Sequence, residues 1–209
     1  MCNSKETNIN DKLFVKLFNI CLEKDFDKLE NILSNNPSLV YLKNSLRESF
    51  LHIFAQNGDL ECIKYFYNKG AIIDEKNCLC NATPLSDSLL SKNKEIVKFF
   101  LDNGASVNNT YDIGNSILHE AVKIDNLEIV KILIDYGADI YRKNDLKENL
   151  LHISIENNNN TITKFLIDKG VDFLEKDVFG NTPLKIAKEE QNEEILNYLK
   201  TFSKTKKQL

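Results

Sequence analysis

A chain of 209 residues with 42% hydrophobic and 28% charged residues has enough apolar material to build a core, which excludes wholesale disorder. Its formal charge of -4 offers no dominant cationic field for gripping phosphates, so nucleic acid is not an expected partner. No run approaches the roughly 18 apolar residues that span a bilayer, so no membrane partner is expected either. The polar opening MCNSKETNINDK lacks the apolar centre of a secretory signal. The five cysteines, odd in number and irregularly spaced, fit reduced thiols in the cytoplasm better than a disulfide frame.

In chain order, residues 1–12 read as a polar tail. Residues 13–44, LFVKLFNICLEKDFDKLENILSNNPSLVYLKN, supply two amphipathic segments without the motif that recurs downstream, as a capping unit with one wet face requires. From residue 45 the chain repeats itself. Gly70, Gly104, Gly137 and Gly170 each close a helix-like stretch, at steps of 34, 33 and 33. A second series, Leu51, Leu85, Leu118, Leu151 and Leu184, keeps the same period. Two positions before each leucine stand Ser49, Thr83, Ser116, Asn149 and Thr182, all able to accept from the free N–H groups of a helix start. Pro84 and Pro183 follow two of these caps, where a missing N–H costs nothing. Each unit therefore reads as a cap, a short helix, a polar break, a second amphipathic helix and a left-handed glycine stop. The units run 45–77, 78–110, 111–143 and 144–176, with a closing one at 177–203 and a basic tail at 204–209.

Written out, GNTPLKIA (Gly180 to Ala187) and LIDYGADI (Leu133 to Ile140) resemble the ankyrin repeat, T-P-L-H-x-A with a second helix ending in G-A-D. The resemblance implies an all-α solenoid of stacked helix-turn-helix units with protruding loop or β-hairpin tips. Two stretches depart from the pattern and are expected to be the softest. The unit at 78–110 has Ser86, Ser88 and Lys92 where the family has His, Ala and Gly, plus one extra residue near Asn77; the unit at 144–176 carries four asparagines, Asn157 to Asn160, across its turn.

The three histidines, His52, His119 and His152, follow the repeat and are expected to brace loops. A metal site needs three or four converging ligands, and adjacent units stand about 10 Å apart. Cys78-x-Cys80 without a second pair is a weak zinc signal. Phosphate loops, nucleophile elbows and H-E-x-x-H motifs are absent from the sequence, so it reads as non-catalytic and without cofactor.

The resemblance implies instead a concave wall that binds another protein through loop tips and the last turn of each first helix, with the array monomeric by itself. Carried over by position, the tips are Leu46 and Glu48; Leu79, Cys80 and Ala82; Tyr111, Asp112 and Ile113; Leu146, Lys147 and Glu148; and Val178 and Phe179. The helix ends are Gln56 and Asn57, Leu90 and Ser91, Lys123 and Ile124, Glu156 and Asn157, and Glu189 and Glu190. Tyr111, Ile113, Leu146 and Phe179 could form an apolar stripe, and the acidic run from Glu156 to Glu190 suits a basic surface. The roles left open are an inhibitor or immunity protein occluding a toxin or enzyme, an adaptor delivered into a host cell, and a metal- or redox-dependent enzyme using the histidines or Cys78 and Cys80.

Overall fold

A computed structural model describes residues 4–206 as helix pairs joined by tight turns. The chain divides after Ser106 into two compact units. The first holds α1 (Ser4–Leu22), α2 (Phe26–Asn35), α3 (Phe50–Asn57), α4 (Leu60–Asn68), α5 (Pro84–Asp87) and α6 (Lys94–Asp102). The second opens on a hairpin, β1 (Thr110–Tyr111) with β2 (Asn115–Ser116), and continues through α7 (Ile117–Lys123), α8 (Leu127–Asp135), α9 (Leu150–Glu156), α10 (Asn160–Asp168), α11 (Pro183–Glu189) and α12 (Glu193–Lys206).

Both tails differ from the sequence expectation. Helix α1 starts at Ser4 and α12 continues through Lys206, so most of the expected tail residues are helical; residues 1–3, with Cys2, and 207–209 lie outside the described residues. The physical reason is that neither end contains a stop. The first proline is Pro37 and the first glycine Gly58, and neither type occurs after Pro183, so polar residues of fair helix propensity simply extend the turns.

Hydrogen bonds at the helix starts account for the recurrent residues two positions before the leucines. Asn149 Oδ1 accepts from the N–H groups of Leu151 (3.0 Å) and His152 (3.3 Å), and Thr182 Oγ1 from that of Lys185 (3.1 Å). Thr83 Oγ1 accepts from Ser86 N–H at 3.4 Å. Ser49 and Ser116 act in the other direction, each donating its N–H to Nδ1 of the histidine three residues on, at 3.1 and 3.2 Å. At the helix ends, Gly70, Gly104, Gly137 and Gly170 take φ of 94°, 86°, 88° and 86°, which lets the next N–H turn back to a carbonyl five residues earlier, as Ala71 does to Phe66.

The stretch at 78–110 is short-helical. Ser86 stands in for histidine by accepting Thr83 N–H on its Oγ (2.9 Å), but Ser88 and Ser91 donate their hydroxyls to the carbonyls of Leu85 and Ser88 at 2.6 and 2.7 Å. Such local bonds compete with the helix ladder, and α5 is only four residues long. The extra residue is absorbed at Asn77, whose buried Oδ1 accepts from both Cys80 N–H and Ala82 N–H, each at 3.2 Å. The asparagine run is better tied than expected. Asn159 Nδ2 donates to Val122 O at 2.6 Å and Asn160 Nδ2 to Glu194 at 2.7 Å.

The cores differ in kind. Phe14 and Phe66 stack on opposite sides of Phe50, each with centroids 4.2 Å away, and Phe54 packs 5.7 Å from Phe66. The second unit buries aliphatic side chains instead, among them Leu118, Ile129, Leu133, Leu151, Ile162 and Leu166.

Candidate protein-binding face

Four of the five tips are built on one side-chain acceptor each, and the third is the β1–β2 hairpin. Asn44 Oδ1 accepts from Leu46 N–H (3.0 Å) and Glu48 N–H (2.9 Å); Asn144 does the same for Leu146 and Glu148 (both 3.0 Å), and Asp177 for Phe179 and Asn181 (both 2.8 Å). With Asn77 these four residues share the repeat period, so the signal was present in the sequence. Successive tips are also joined by backbone bonds. Cys78 N–H donates to Leu46 O (3.2 Å), Asp145 N–H to Ile113 O (3.0 Å) and Val178 N–H to Leu146 O (2.9 Å).

This scaffold turns some tip side chains outward and others inward. Leu79 is 68% exposed, Ile113 50%, Val178 46% and Phe179 74%; Leu46 and Lys147 are exposed too. Ala82 and Glu48 are buried, while Cys80, Leu146 and Glu148 are half-buried and Tyr111 is half-buried in β1. Asp112 lies in the turn between the two strands, and its side chain is outside the described residues. Among the helix ends, Asn57, Leu90, Lys123, Glu156, Asn157, Glu189 and Glu190 are exposed, and Gln56, Ser91 and Ile124 are half-buried. Ile113 is held at φ 58°, a strained value for a β-branched residue, and Gly114 beside it has φ 69°. A Cβ on Gly114 would collide with Asp145, so this hairpin tolerates no side chain there.

The histidines face inward. His52 Nδ1 accepts from Ser49 N–H, and its Nε2 reaches Ala82 O in the next tip at 3.1 Å. His152 repeats this between Asn149 N–H and Asn181 O, both at 3.2 Å. Nδ1 is thus the acceptor and Nε2 carries the proton. His119 keeps the bond from Ser116, but its Nε2, beside the Glu148 backbone, closes no hydrogen bond. Burial pushes all three histidines down, His119 to about 4. Cys78 donates its thiol to Leu46 O at 3.1 Å, and Cys80 lies 3.8 Å from Asn77 Oδ1. Among the described residues no group of three or more His, Cys, Asp or Glu side chains is placed to hold a metal ion.

The two units treat the last turn of the first helix differently. In the first, Gln56 Nε2 donates to Glu48 Oε1 (3.2 Å) and Asp87 Oδ2 (3.0 Å), while Asn44 Nδ2 donates to Glu48 Oε2 (2.7 Å). One amide thereby bridges two buried carboxylates, and burial lifts Asp87 to about 6. In the second unit Glu156 occupies the corresponding place. Burial and the neighbouring charges of Glu148, Asp177 and Glu190 push it up. A cavity of about 210 Å³ opens here between α7 and α9, with Ile113, Leu146 and Ile153 as apolar wall and Glu120, Glu148 and Glu156 as rim. Glu156 also borders a second cavity of about 440 Å³, lined by Glu190, Glu193 and Glu194. Asp87, Glu120 and Ile153 were not foreseen, because their roles arise from neighbours about one period away.

A profile of ankyrin repeats in three copies matches residues 17–111, 51–144 and 118–208. Over 112 residues the chain is 32% identical to phosphocholine transferase AnkX of Legionella pneumophila subsp. pneumophila, a stretch covering 54% of this chain and 11% of that protein. The repeats imply a protein–protein interaction module, and no helix among the described residues is long and apolar enough to cross a membrane. With the repeat profile matched in three copies over most of its length, the chain belongs to the ankyrin-repeat family.

Proposed function

We propose that this protein is a non-catalytic binding protein that recognises one protein partner through its loop tips and the ends of its first helices. The observation that carries the reading is the outward placement of Leu79, Ile113, Val178 and Phe179, from 46 to 74% exposed, on tips whose backbone bonds do not need those side chains. Apolar and aromatic groups held out on rigid turns are the usual anchors of a protein interface. Binding there would occlude a functional surface of the partner, which is the inhibitor or immunity role. The stretch shared with the Legionella pneumophila protein favours a second reading, an adaptor delivered into a host cell and aimed at a host protein.

The test is capture of a partner from lysate by the immobilised protein, compared with a Leu79→Ser, Ile113→Asn, Phe179→Ser variant. Asparagine tolerates the positive φ at 113, so the variant should keep its helical signal and melting. Capture should be abolished. Undiminished capture by the triple variant overturns the tip reading.

A further inference from the structure

We infer that the α7–α9 cavity and its neighbour across Glu156 receive a basic segment of the protein partner, one Lys or Arg side chain seated in each. The inference rests on the protein-binding reading above and names the chemistry of the partner.

The first unit displays what the site in the second unit lacks. There a nitrogen donor, Gln56 Nε2, sits between two carboxylates at 3.2 and 3.0 Å. At the matching place in the second unit, Glu156 replaces that amide with a further carboxylate, facing Glu148. No bond or ion pair of the Glu156 carboxylate occurs among the described residues, and Glu148 has Asn144 Nδ2 on one oxygen only. Repulsion of this sort is relieved by a cation bearing N–H groups.

His119 is 1% exposed and forms part of the wall, with its Nε2 turned to the Glu148 backbone rather than into the cavity. At about 210 Å³ the cavity is below the usual range for small-molecule sites and sized for a single long side chain. Ile113, Leu146 and Ile153 match its aliphatic stem, and the rim carboxylates match its head. Lys123 also lines this cavity, so the seat is acidic by three carboxylates against one cation. In the larger cavity Glu194 is occupied by Lys164 at 2.6 Å, which leaves Glu156, Glu190 and Glu193 for the second side chain.

The test selects peptides from a random 12-residue display library on the immobilised protein and measures binding of the enriched peptides, fluorescein-labelled, by anisotropy. Enrichment of sequences with two basic residues is expected. Glu156→Gln, which installs the bridging amide of the first unit, should weaken them at least tenfold at unchanged helical signal, as should replacing either basic residue by norleucine. Binding should also weaken at low pH as Glu156, which faces Glu148, Asp177 and Glu190 and is pushed up by desolvation and their charges, takes up a proton. Ser34→Ala, on α2 of the other unit, should leave the affinity unchanged. Enriched peptides without basic residues, affinity indifferent to Glu156→Gln, or no enrichment at all overturns the inference. Non-basic peptides lost with the Leu79, Ile113, Phe179 variant would overturn it while leaving the tip reading intact.

Discussion

Gln56 and Glu156 stand at the same point of the repeat, at the end of α3 in one unit and of α9 in the other, and differ by one side-chain group. The amide of Gln56 donates to Glu48 and Asp87 and completes a network inside the fold. The carboxylate of Glu156 can donate nothing, and Glu148, Asp177 and Glu190 raise its proton affinity. The same scaffold therefore closes its acidic groove with its own donor in one half and leaves it open in the other. The histidines do not divide along this line: His52 in the first unit and His152 in the second both reach a carbonyl of the next tip, and His119 lies against the Glu148 backbone.

The largest test of the difference concerns the cores. Phe50→Ala removes the ring between Phe14 and Phe66 and should cost about 3–5 kcal/mol, read by urea unfolding, with amide exchange rising first in α3 and α4. A loss below about 1.5 kcal/mol would mean that the aromatic stack does not organise the first unit.

Acid should push His119, in the second unit, and Asp87, in the first, in opposite directions. His119 stays neutral in the fold down to about 4 while the unfolded residue takes up a proton near 6.5. The unfolded chain thus binds more protons in that window, and up to about 3 kcal/mol of stability is lost as pH falls through it; His52 and His152 act with the same sign. Asp87, raised to about 6 from 3.8, works the other way: the fold binds the extra proton, so stability increases by up to about 3 kcal/mol as pH falls from 6 towards 4; Glu156 shares this sign. Urea midpoints between pH 7 and 4.5 should lose less in His119→Gln and more in Asp87→Asn than in the parent. Parallel curves for all three would break this assignment.

Converting one unit's solution into the other's gives a smaller effect. Gln56→Glu removes two hydrogen bonds and places a third carboxylate against Glu48 and Asp87, an expected loss of about 1–2 kcal/mol that shrinks at low pH. His52→Ala should cost about 1 kcal/mol more than His119→Ala, since only His52 bonds the following tip. Smallest is Glu156→Gln, which should raise the unfolding midpoint slightly while weakening the partner, a gain in stability at the expense of function.

The repeat was legible because its requirements are met within a few residues. Ser49, Thr83, Ser116, Asn149 and Thr182 cap helices that start beside them, and Gly70, Gly104, Gly137 and Gly170 turn the chain at their own φ angles. Such backbone demands recur with the period whatever surrounds them, so the sequence by itself determined the order of helices, the breaks between them and the inward fate of the histidines. Tertiary structure decided the rest. Whether Leu79 and Phe179 point out while Glu48 and Ala82 turn in depends on the tip stacked against them. Whether the side chain at the end of a first helix is bridged or left bare depends on Asp87 or Glu190, about a period away along the chain. Hydrogen bonding of the backbone is a local matter, but burial and charge are set by neighbours in space, and the face that meets a partner is made of burial and charge.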